Sequence, residues 1–409
     1  MGYTAARIFA LVSLLWGIFH PTLPAGGFPA SSSQESTVQF TVAQPAIEFG
    51  RRITFQVQIQ PAAAGDKAFI FLQPDGGEGE YFTLALNADG QAVYEMDTQT
   101  RPLRVFTKIH YSFHLESASG KKNASPEYTL EYADERFDWK MTADDRFEIF
   151  YYDRELDFAQ TALNTAERGL AEAAKLVPAE LTQKLRIYVY RDARDLQDVQ
   201  QGLPSWAAGH AAPDQMMVFV AISTGPDQRL ELERSLPHEI VHILQYQAYG
   251  KPALEFPAWL LEGTASIAEF YQNPEYASAL RASAEADRLL PMETLCAGFP
   301  RDASGAFLAY AQSQSFTGYL RDRFGASGLT NLYQRYADGM SCTAGFEAAF
   351  QTTLSEVEFR WRLEALGINP AALVMRNLLP YLIFFLIVFG AASVTMIFNA
   401  RRRRAEAAG

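Results

Sequence analysis

The chain has 409 residues, of which 48% are hydrophobic and 20% are charged, and its formal net charge is −12 at pH 7. This length exceeds that of one ordinary domain, and the composition is globular with an apolar excess, so we expect two soluble domains and a membrane segment. The acidic balance argues against a nucleic-acid partner, because neutralising phosphates requires clustered lysines and arginines that no folded segment shows.

The N-terminus has the pattern of a secretory signal peptide. Arg7 precedes the apolar run 8–19, and small residues within 25–30 offer cleavage points. An uncleaved anchor is the alternative, because no clean A-x-A cleavage site is present. We predict a signal peptide over residues 1–30.

A series of short strands follows. Ile53, Phe55 and Val57 alternate with polar residues, which predicts a strand with one buried face. Turn signals separate several such segments. The predicted strands cover residues 37–42, 53–59, 67–72, 81–86, 92–96, 105–115 and 128–132. This all-β pattern resembles an immunoglobulin or fibronectin type III sandwich without its cysteine pair, and we place the domain at residues 36–140.

Two histidines, His110 and His114, share one face of a predicted strand. A metal site there is one interpretation. A hydrogen-bonded or exposed pair is the favoured one, because no third ligand lies nearby in the sequence.

From about residue 144 the pattern changes to mixed strands and helices. The alternation in 185–190 predicts a strand, and the spacing of apolar residues over 156–176 predicts an amphipathic helix. Further strands are predicted at 147–152 and 216–222, and further helices at 193–202, 257–271, 275–290, 304–324, 328–336, 344–350 and 353–366. We expect a second domain of the α+β class at residues 145–368.

The most informative motif lies at residues 238–242, which read His-Glu-Ile-Val-His. On a helix, residues i and i+4 lie on one face, so both imidazoles can reach one metal ion, with Glu239 beside them. Glu262 can supply a carboxylate from a second helix. Two histidines and one glutamate leave the fourth position of a tetrahedral zinc open for water, which distinguishes a catalytic site from a structural one.

These segments resemble the gluzincin metallopeptidases, and more closely the peptidase-MA-like families than the classical aminopeptidases. The shared pattern is His-Glu-x-x-His followed by Pro-x-Trp-Leu-x-Glu-Gly at 257–263, with a thermolysin-like separation of the ligands. The resemblance implies a thermolysin-like catalytic domain with zinc bound by His238, His242 and Glu262. It also implies that Glu239 is the catalytic base, which takes a proton from the zinc-activated water and passes it to the leaving amine.

The resemblance implies two further parts of the site. An edge strand beside the active-site helix pairs with the substrate backbone, and 216–222 is the candidate. Tyr310, in a Tyr-Ala-Gln-Ser-Gln-Ser-Phe segment, is the candidate oxyanion donor, although a tyrosine packed between helices is equally open. His210, on the loop before that candidate strand, is the alternative donor.

Two departures from the family pattern affect the expected function. Thermolysin-type enzymes place an acidic residue one turn after the glutamate ligand, where this chain has Ser266. Glu269 is a substitute for orienting a ligand histidine, but a solvated helix face is the favoured interpretation. The Gly-x-Met-Glu-Asn motif of the aminopeptidases has no counterpart, which favours endopeptidase action.

The chain contains two cysteines, Cys296 and Cys342. Outside the cytoplasm they can pair, closing a loop of about 45 residues and stabilising the fold by about 3–4 kcal/mol in the chain-entropy model. Two separate buried thiols are the alternative, and we favour the disulfide.

The C-terminal region has the pattern of a membrane anchor. Residues 378–398 carry no charge and are numerous enough to span a bilayer. We predict a transmembrane helix at 377–399 and a basic tail at 400–409. The positive-inside rule places this tail in the cytoplasm and the catalytic domain outside it.

The sequence therefore predicts a single-pass, extracytoplasmic zinc metallopeptidase of the cell membrane that acts on peptide or protein substrates. The alternative is a non-catalytic surface protein whose peptidase-like domain binds a partner or a cell-envelope component. An intramembrane protease is disfavoured, because the motif lies among polar residues such as Glu231, Arg234 and Gln247.

Overall fold

The structure is a computed structural model that describes residues 37–199, 208–368 and 370–406. The predicted signal peptide lies outside the described residues. The strands are β1 (Gln39–Val42), β2 (Ala46–Glu48), β3 (Arg52–Gln60), β4 (Lys67–Pro74), β5 (Glu80–Leu84), β6 (Gln91–Asp97), β7 (Lys108–Glu116), β8 (Lys122–Ala124), β9 (Tyr128–Glu131), β10 (Lys140–Ala143), β11 (Phe147–Tyr151), β12 (Leu185–Tyr190), β13 (Gly209–Ala212) and β14 (Met217–Ala221).

The α-helices begin after the β-rich N-terminal region. They are α1 (Leu156–Leu176), α2 (Ala193–Gln197), α3 (Gln228–Tyr249), α4 (Ala258–Ala268), α5 (Tyr276–Glu285), α6 (Ala303–Ala337), α7 (Cys342–Phe350), α8 (Leu354–Glu364) and α9 (Pro370–Glu406). Two 3-10 helices cover Lys251–Glu255 and Thr294–Cys296. The expected order of a β-rich region followed by a largely helical one is confirmed.

The N-terminal β-region, β1 to β9, consists of two antiparallel sheets. In one, β3 pairs with β1 and β2 along one side and with β6 along the other. In the second, the order is β5-β4-β7, and β8 and β9 both pair with β7. Side chains of both sheets, including Phe55, Ile70 and Phe113, form one core. The short strands β2 and β8 were not predicted, because three residues are too few to show a period of two.

A third sheet, in the order β10-β11-β12-β14-β13, belongs to the helical region. Its strands β11, β12 and β14 are parallel, and β10 and β13 are antiparallel edges. The prediction that 216–222 forms the edge strand is therefore wrong. All five residues of β14 are buried, and such a continuous apolar run is typical of an interior strand. The true edge, β13, reads Gly-His-Ala-Ala and lacks the β-branched and aromatic residues that mark a strand.

Helices α1 and α3 cover one face of this sheet and share its core. Helix α1 has the predicted bounds, and its Gly169 allows a close crossing, since a Cβ there would lie 3.1 Å from Cα of Pro237 in α3. Helix α6 is interrupted at Gly325, where φ is 74° and favours glycine. The two helices predicted at 304–324 and 328–336 are therefore the two halves of α6.

The opposite face of the third sheet packs against the β-region through an aromatic cluster. Phe106 stacks on Tyr188 with ring centroids 3.7 Å apart, and Trp139 meets Tyr188 edge-on at 5.4 Å. Arg104 donates to both carboxylate oxygens of Asp214, at 2.6 and 2.9 Å. Asp214 lies in the turn between β13 and β14, so the β-region holds the hairpin that carries the edge strand.

A buried ion pair lies in this contact, and we expect its removal to destabilise the fold. Asp134 has no exposed surface and accepts hydrogen bonds from Arg136 Nε and Nη2 at 2.8 and 2.9 Å. Asp134→Ala leaves this guanidinium without its main partner, so we expect a loss of about 3 kcal/mol, measured by urea unfolding. The control is Asp198→Ala, because Asp198 contacts the same arginine but is 54% exposed. We expect that variant to lose less than about 1 kcal/mol, and equal losses would contradict the assignment.

The C-terminal part contains both remaining predicted features. Cys296 and Cys342 form a disulfide with their Cα atoms 6.1 Å apart. Within the described residues, one helix has a segment long and apolar enough to cross a membrane, Leu378–Arg401 in α9, by length and composition alone.

Candidate metal centre and active site

The structure brings the three predicted ligands together. His238 and His242 lie one turn apart on α3, and Glu262 reaches them from α4. Oε2 of Glu262 is 3.2 Å from Nε2 of His238 and 3.6 Å from Nε2 of His242. One ligand atom from each residue lies within 4.8 Å of the other two. Two imidazoles and one carboxylate are the donor set of catalytic zinc sites, so these residues fit that metal.

The far side of each imidazole is held by a hydrogen bond that sets its tautomer. Nδ1 of His238 lies 2.9 Å from Oε1 of Glu269, and Nδ1 of His242 lies 2.9 Å from Oε1 of Gln245. Since both acceptors are oxygens, each Nδ1 donates a proton to its partner, which would leave each Nε2 as the atom that binds a metal ion. The amide of Gln245 is itself oriented, because its Nε2 donates to the Leu261 carbonyl and to the hydroxyl of Tyr333.

The expectation that Glu269 lies on a solvated helix face is wrong. Its side chain is only 5% exposed and bonds to His238. The reason is local, because α4 ends at Ala268 and Glu269 has extended torsions (φ −59°, ψ 131°). Its direction therefore does not follow helical spacing from Glu262. Ser266, at the position where the related enzymes have an acid, is fully buried.

Removal of Glu269 is expected to weaken metal binding. Mutating a residue that hydrogen-bonds to a ligand histidine lowers metal affinity by about 10–100-fold. We therefore expect Glu269→Ala to raise the zinc dissociation constant by that factor. Competition with a chromogenic chelator measures the constant directly. Glu269→Gln keeps an acceptor oxygen for Nδ1 and serves as the control with a smaller effect. Unchanged affinity in Glu269→Ala would show that His238 is oriented by other contacts.

Glu239 lies between the two histidines in α3 and is 7% exposed. Burial raises its pKa above the usual range, against the opposing effect of the two imidazoles. The backbone of the edge strand lies against its carboxylate, since a Cβ on Gly209 would fall 2.2 Å from Oε1. A side chain at position 209 would require the Glu239 carboxylate to move, which no sequence motif indicates.

The electrostatics of the three ligands reflect their mutual contact. Burial alone would raise the pKa of Glu262, but the two imidazoles hold that pKa well below its usual range. Burial likewise opposes protonation of His238, yet the hydrogen bonds that its ring donates to Glu262 and Glu269 raise its pKa. A cation would therefore occupy a site where the carboxylate remains charged.

Tyr310 lies on α6 beside the cluster, with its ring centroid 6.4 Å from that of His238. Burial raises its pKa, and the charges of Glu262 and Glu239 raise it further, so the phenol keeps its proton. Tyr276, at the start of α5, was not foreseen. Burial and the charges of Glu269 and Glu262 raise its pKa as well. A second tyrosine therefore belongs to this environment, and no spacing from the motif indicated it.

The other predicted histidines are not members of the ligand cluster, although His210 is near enough to His242 for the charge of that imidazole to lower its pKa. His210 is on β13 opposite Phe219, a member of the aromatic cluster, so it lies on the sheet face that meets the β-region. Burial and the charge of Arg104 lower its pKa. His110 bonds to Asp75 and His114 to Ser112, so the hydrogen-bonded interpretation of that pair is confirmed. Within the described residues, the ligand geometry occurs at His238, His242 and Glu262.

Comparison with models of known families agrees with the motif. Residues 165–366 match the model of the Peptidase MA superfamily. Among solved structures, an M1 zinc metallopeptidase from Deinococcus radiodurans is similar, with 12% identity over 80% of this chain and 92% of that one and a TM-score of 0.35. An aminopeptidase N family protein from Idiomarina loihiensis has 9% identity over 83% of this chain and 75% of that one, with a TM-score of 0.33. No curated protein matches the chain.

Proposed function

Because residues 165–366 belong to the Peptidase MA superfamily, we propose that the chain is a zinc metallopeptidase that hydrolyses peptide bonds. The observation that carries the proposal is the cluster of His238, His242 and Glu262, with the buried Glu239 beside it. A zinc ion held by the three ligands supplies Lewis acidity, which activates a water and polarises a carbonyl.

Glu239 is the proposed general base. Its carboxylate lies close to the backbone of Gly209 on the edge strand, and burial raises its pKa, which favours proton transfer nearer to neutral pH. It accepts a proton from the attacking water at one oxygen. The same carboxyl group then donates that proton to the leaving amine, so its protonation state is restored after each turnover.

Two further elements bind the substrate in this proposal. Tyr310 donates its phenolic proton in a hydrogen bond to the oxygen that becomes negatively charged, and its raised pKa keeps that proton available. Strand β13, at the edge of the third sheet, offers backbone groups to an extended peptide. Such pairing does not require a free substrate terminus, which is consistent with endopeptidase action.

The surrounding architecture gives the proposal its cellular setting. We propose that residues 36–140 form a sandwich of the immunoglobulin or fibronectin kind, supported by two sheets that share one core, and that residues 145–368 form the peptidase domain. The apolar segment Leu378–Arg401 would anchor the chain as a single membrane span. The arginines at 401–404 would lie in the cytoplasm, with the peptidase domain on the other side.

The test combines metal content with hydrolysis. The full chain, purified in detergent, is analysed for zinc by mass spectrometry and incubated with an unstructured protein. We expect bound zinc and cleavage at internal bonds, which a chelator abolishes and added zinc restores. A metal-free and inert protein would overturn the proposal in favour of a non-catalytic surface protein, and release of single N-terminal residues would overturn the endopeptidase assignment alone.

A further inference from the structure

The segment between α5 and α6, residues 286–302, is attached to three different helices; we call it the α5–α6 loop. Leu290 exchanges two hydrogen bonds of 2.8 Å with the buried side chain of Gln312 in α6. The amide of Met292 donates to Glu358 in α8, and Cys296 forms the disulfide with Cys342 at the start of α7. The α5–α6 loop is therefore fixed to the neighbouring helices at Leu290, Met292 and Cys296.

Phe299 follows the disulfide by three residues and contacts the proposed oxyanion donor. Its ring meets that of Tyr310 at 89°, with centroids 4.9 Å apart. On its other side the chain is fixed again, because Asp302 caps α6 by accepting from the amide of Gly305 at 2.8 Å. Phe299 thus lies between two fixed points, Cys296 and Asp302.

The ring of Tyr310 therefore has two ring neighbours, Phe299 at 4.9 Å and the ligand His238 at 6.4 Å between centroids. Rotation of a tyrosine side chain about its Cα–Cβ bond moves the hydroxyl oxygen further than any atom of the ring. Hydrogen-bond donors are effective in catalysis when they are held in place before the charge develops. The perpendicular contact with Phe299 restricts this rotation.

We propose that Phe299 is a positioning residue, and that the disulfide-anchored α5–α6 loop uses it to hold the Tyr310 phenol against the metal centre. This inference rests on the proposed function for the role of Tyr310. It assigns to the disulfide a part in arranging the active site in addition to joining two helices.

The kinetic test is a double-mutant cycle in the full-length protein. We expect Phe299→Leu to lower kcat by about 10-fold, with KM and zinc content unchanged, because a shift of about 1 Å costs this much or more. Phe299→Tyr restores the aromatic contact and should recover most of the rate. In a Tyr310→Phe background, Phe299→Leu should have no further effect, whereas full additivity would overturn the proposal.

The matched control is Phe350→Leu. Phe350 is also half-buried and makes a ring contact of 4.8 Å with Phe346, but it packs near the far end of α6. We expect its kcat to be that of the unaltered protein. An equal loss of kcat in both variants would show a general loss of packing and would overturn the positioning role.

A second measurement does not depend on activity. With 3-fluorotyrosine at position 310, the fluorine resonance of the zinc-loaded chain should shift or broaden in Phe299→Leu and in the double variant Cys296→Ser/Cys342→Ser, but not in Phe350→Leu. An inert parent protein would overturn the proposed function, while this resonance would still decide whether Phe299 positions the ring. An unchanged resonance in Phe299→Leu would overturn the inference.

Discussion

Replacement of Glu239 by glutamine is expected to lower kcat for peptide hydrolysis by about 10²–10⁴-fold, the usual contribution of a general base. Glutamine has nearly the same shape as glutamate, so it keeps the close contact with the backbone of Gly209. Its amide cannot accept a proton near neutral pH. The three ligands are unchanged, and we therefore expect the zinc content to remain that of the unaltered protein.

Steady-state kinetics and metal analysis of the same preparation check this expectation. The control is Glu233→Gln on the same helix, because that carboxylate pairs with Arg168 and Arg229 rather than with the ligands. We expect its kcat to be unchanged. If Glu239→Gln instead loses its zinc, the residue contributes to metal binding, and the assignment of a general base is wrong.

The sequence predicts those helices and strands whose own apolar residues recur with a helical or a strand spacing. Helix α1 and strand β12 have the predicted bounds, since the apolar stripe of α1 and the alternating aliphatic residues of β12 pack into the same core. The sequence also predicts the three ligands. His238 and His242 lie about one turn apart on one helix, and Glu262 follows in a second recognisable motif. For these elements and ligands, the spacing of residues along the chain is enough to predict their positions in the fold.

The remaining parts of the site depend on contacts between distant segments. Strand β13 is defined by its pairing with β14, and Gly209 by its closeness to Glu239. Glu269 reaches His238 because the helix ends one residue earlier. Phe299 is placed by a disulfide. Each of these features depends on a contact between residues that are distant in the sequence, so no regular spacing along the chain predicts it.

The β-region also contributes to the site through the hairpin of β13 and β14. Arg104 binds Asp214, and Thr107 accepts a hydrogen bond from Gln215 in the same turn. An edge strand offered to substrate needs support on its other side, and these contacts supply it. The β-region is thereby part of the frame of the proposed peptidase, which its strand pattern alone does not indicate.

Tyr310→Phe is expected to lower kcat by about 10²–10³-fold, because removing one donor to a developing oxyanion has this effect. The phenylalanine ring keeps the contacts with Phe299 and His238, so folding and zinc content should be unchanged. KM should change by no more than about 2-fold, since the interaction is made in the transition state rather than with the bound substrate.

The comparison with two other tyrosines makes this test specific. Tyr319→Phe, on the same helix, removes a hydroxyl that bonds to Glu364 near the surface, and we expect full activity. Tyr276→Phe removes the hydroxyl of the second tyrosine near the ligands. Burial raises the pKa of Tyr276, and the charges of Glu269 and Glu262 raise it further. If the rate falls in Tyr276→Phe and not in Tyr310→Phe, then α5 rather than α6 supplies the donor. The positioning role of Phe299 would then have to be assigned to a different partner, because its ring contacts Tyr310.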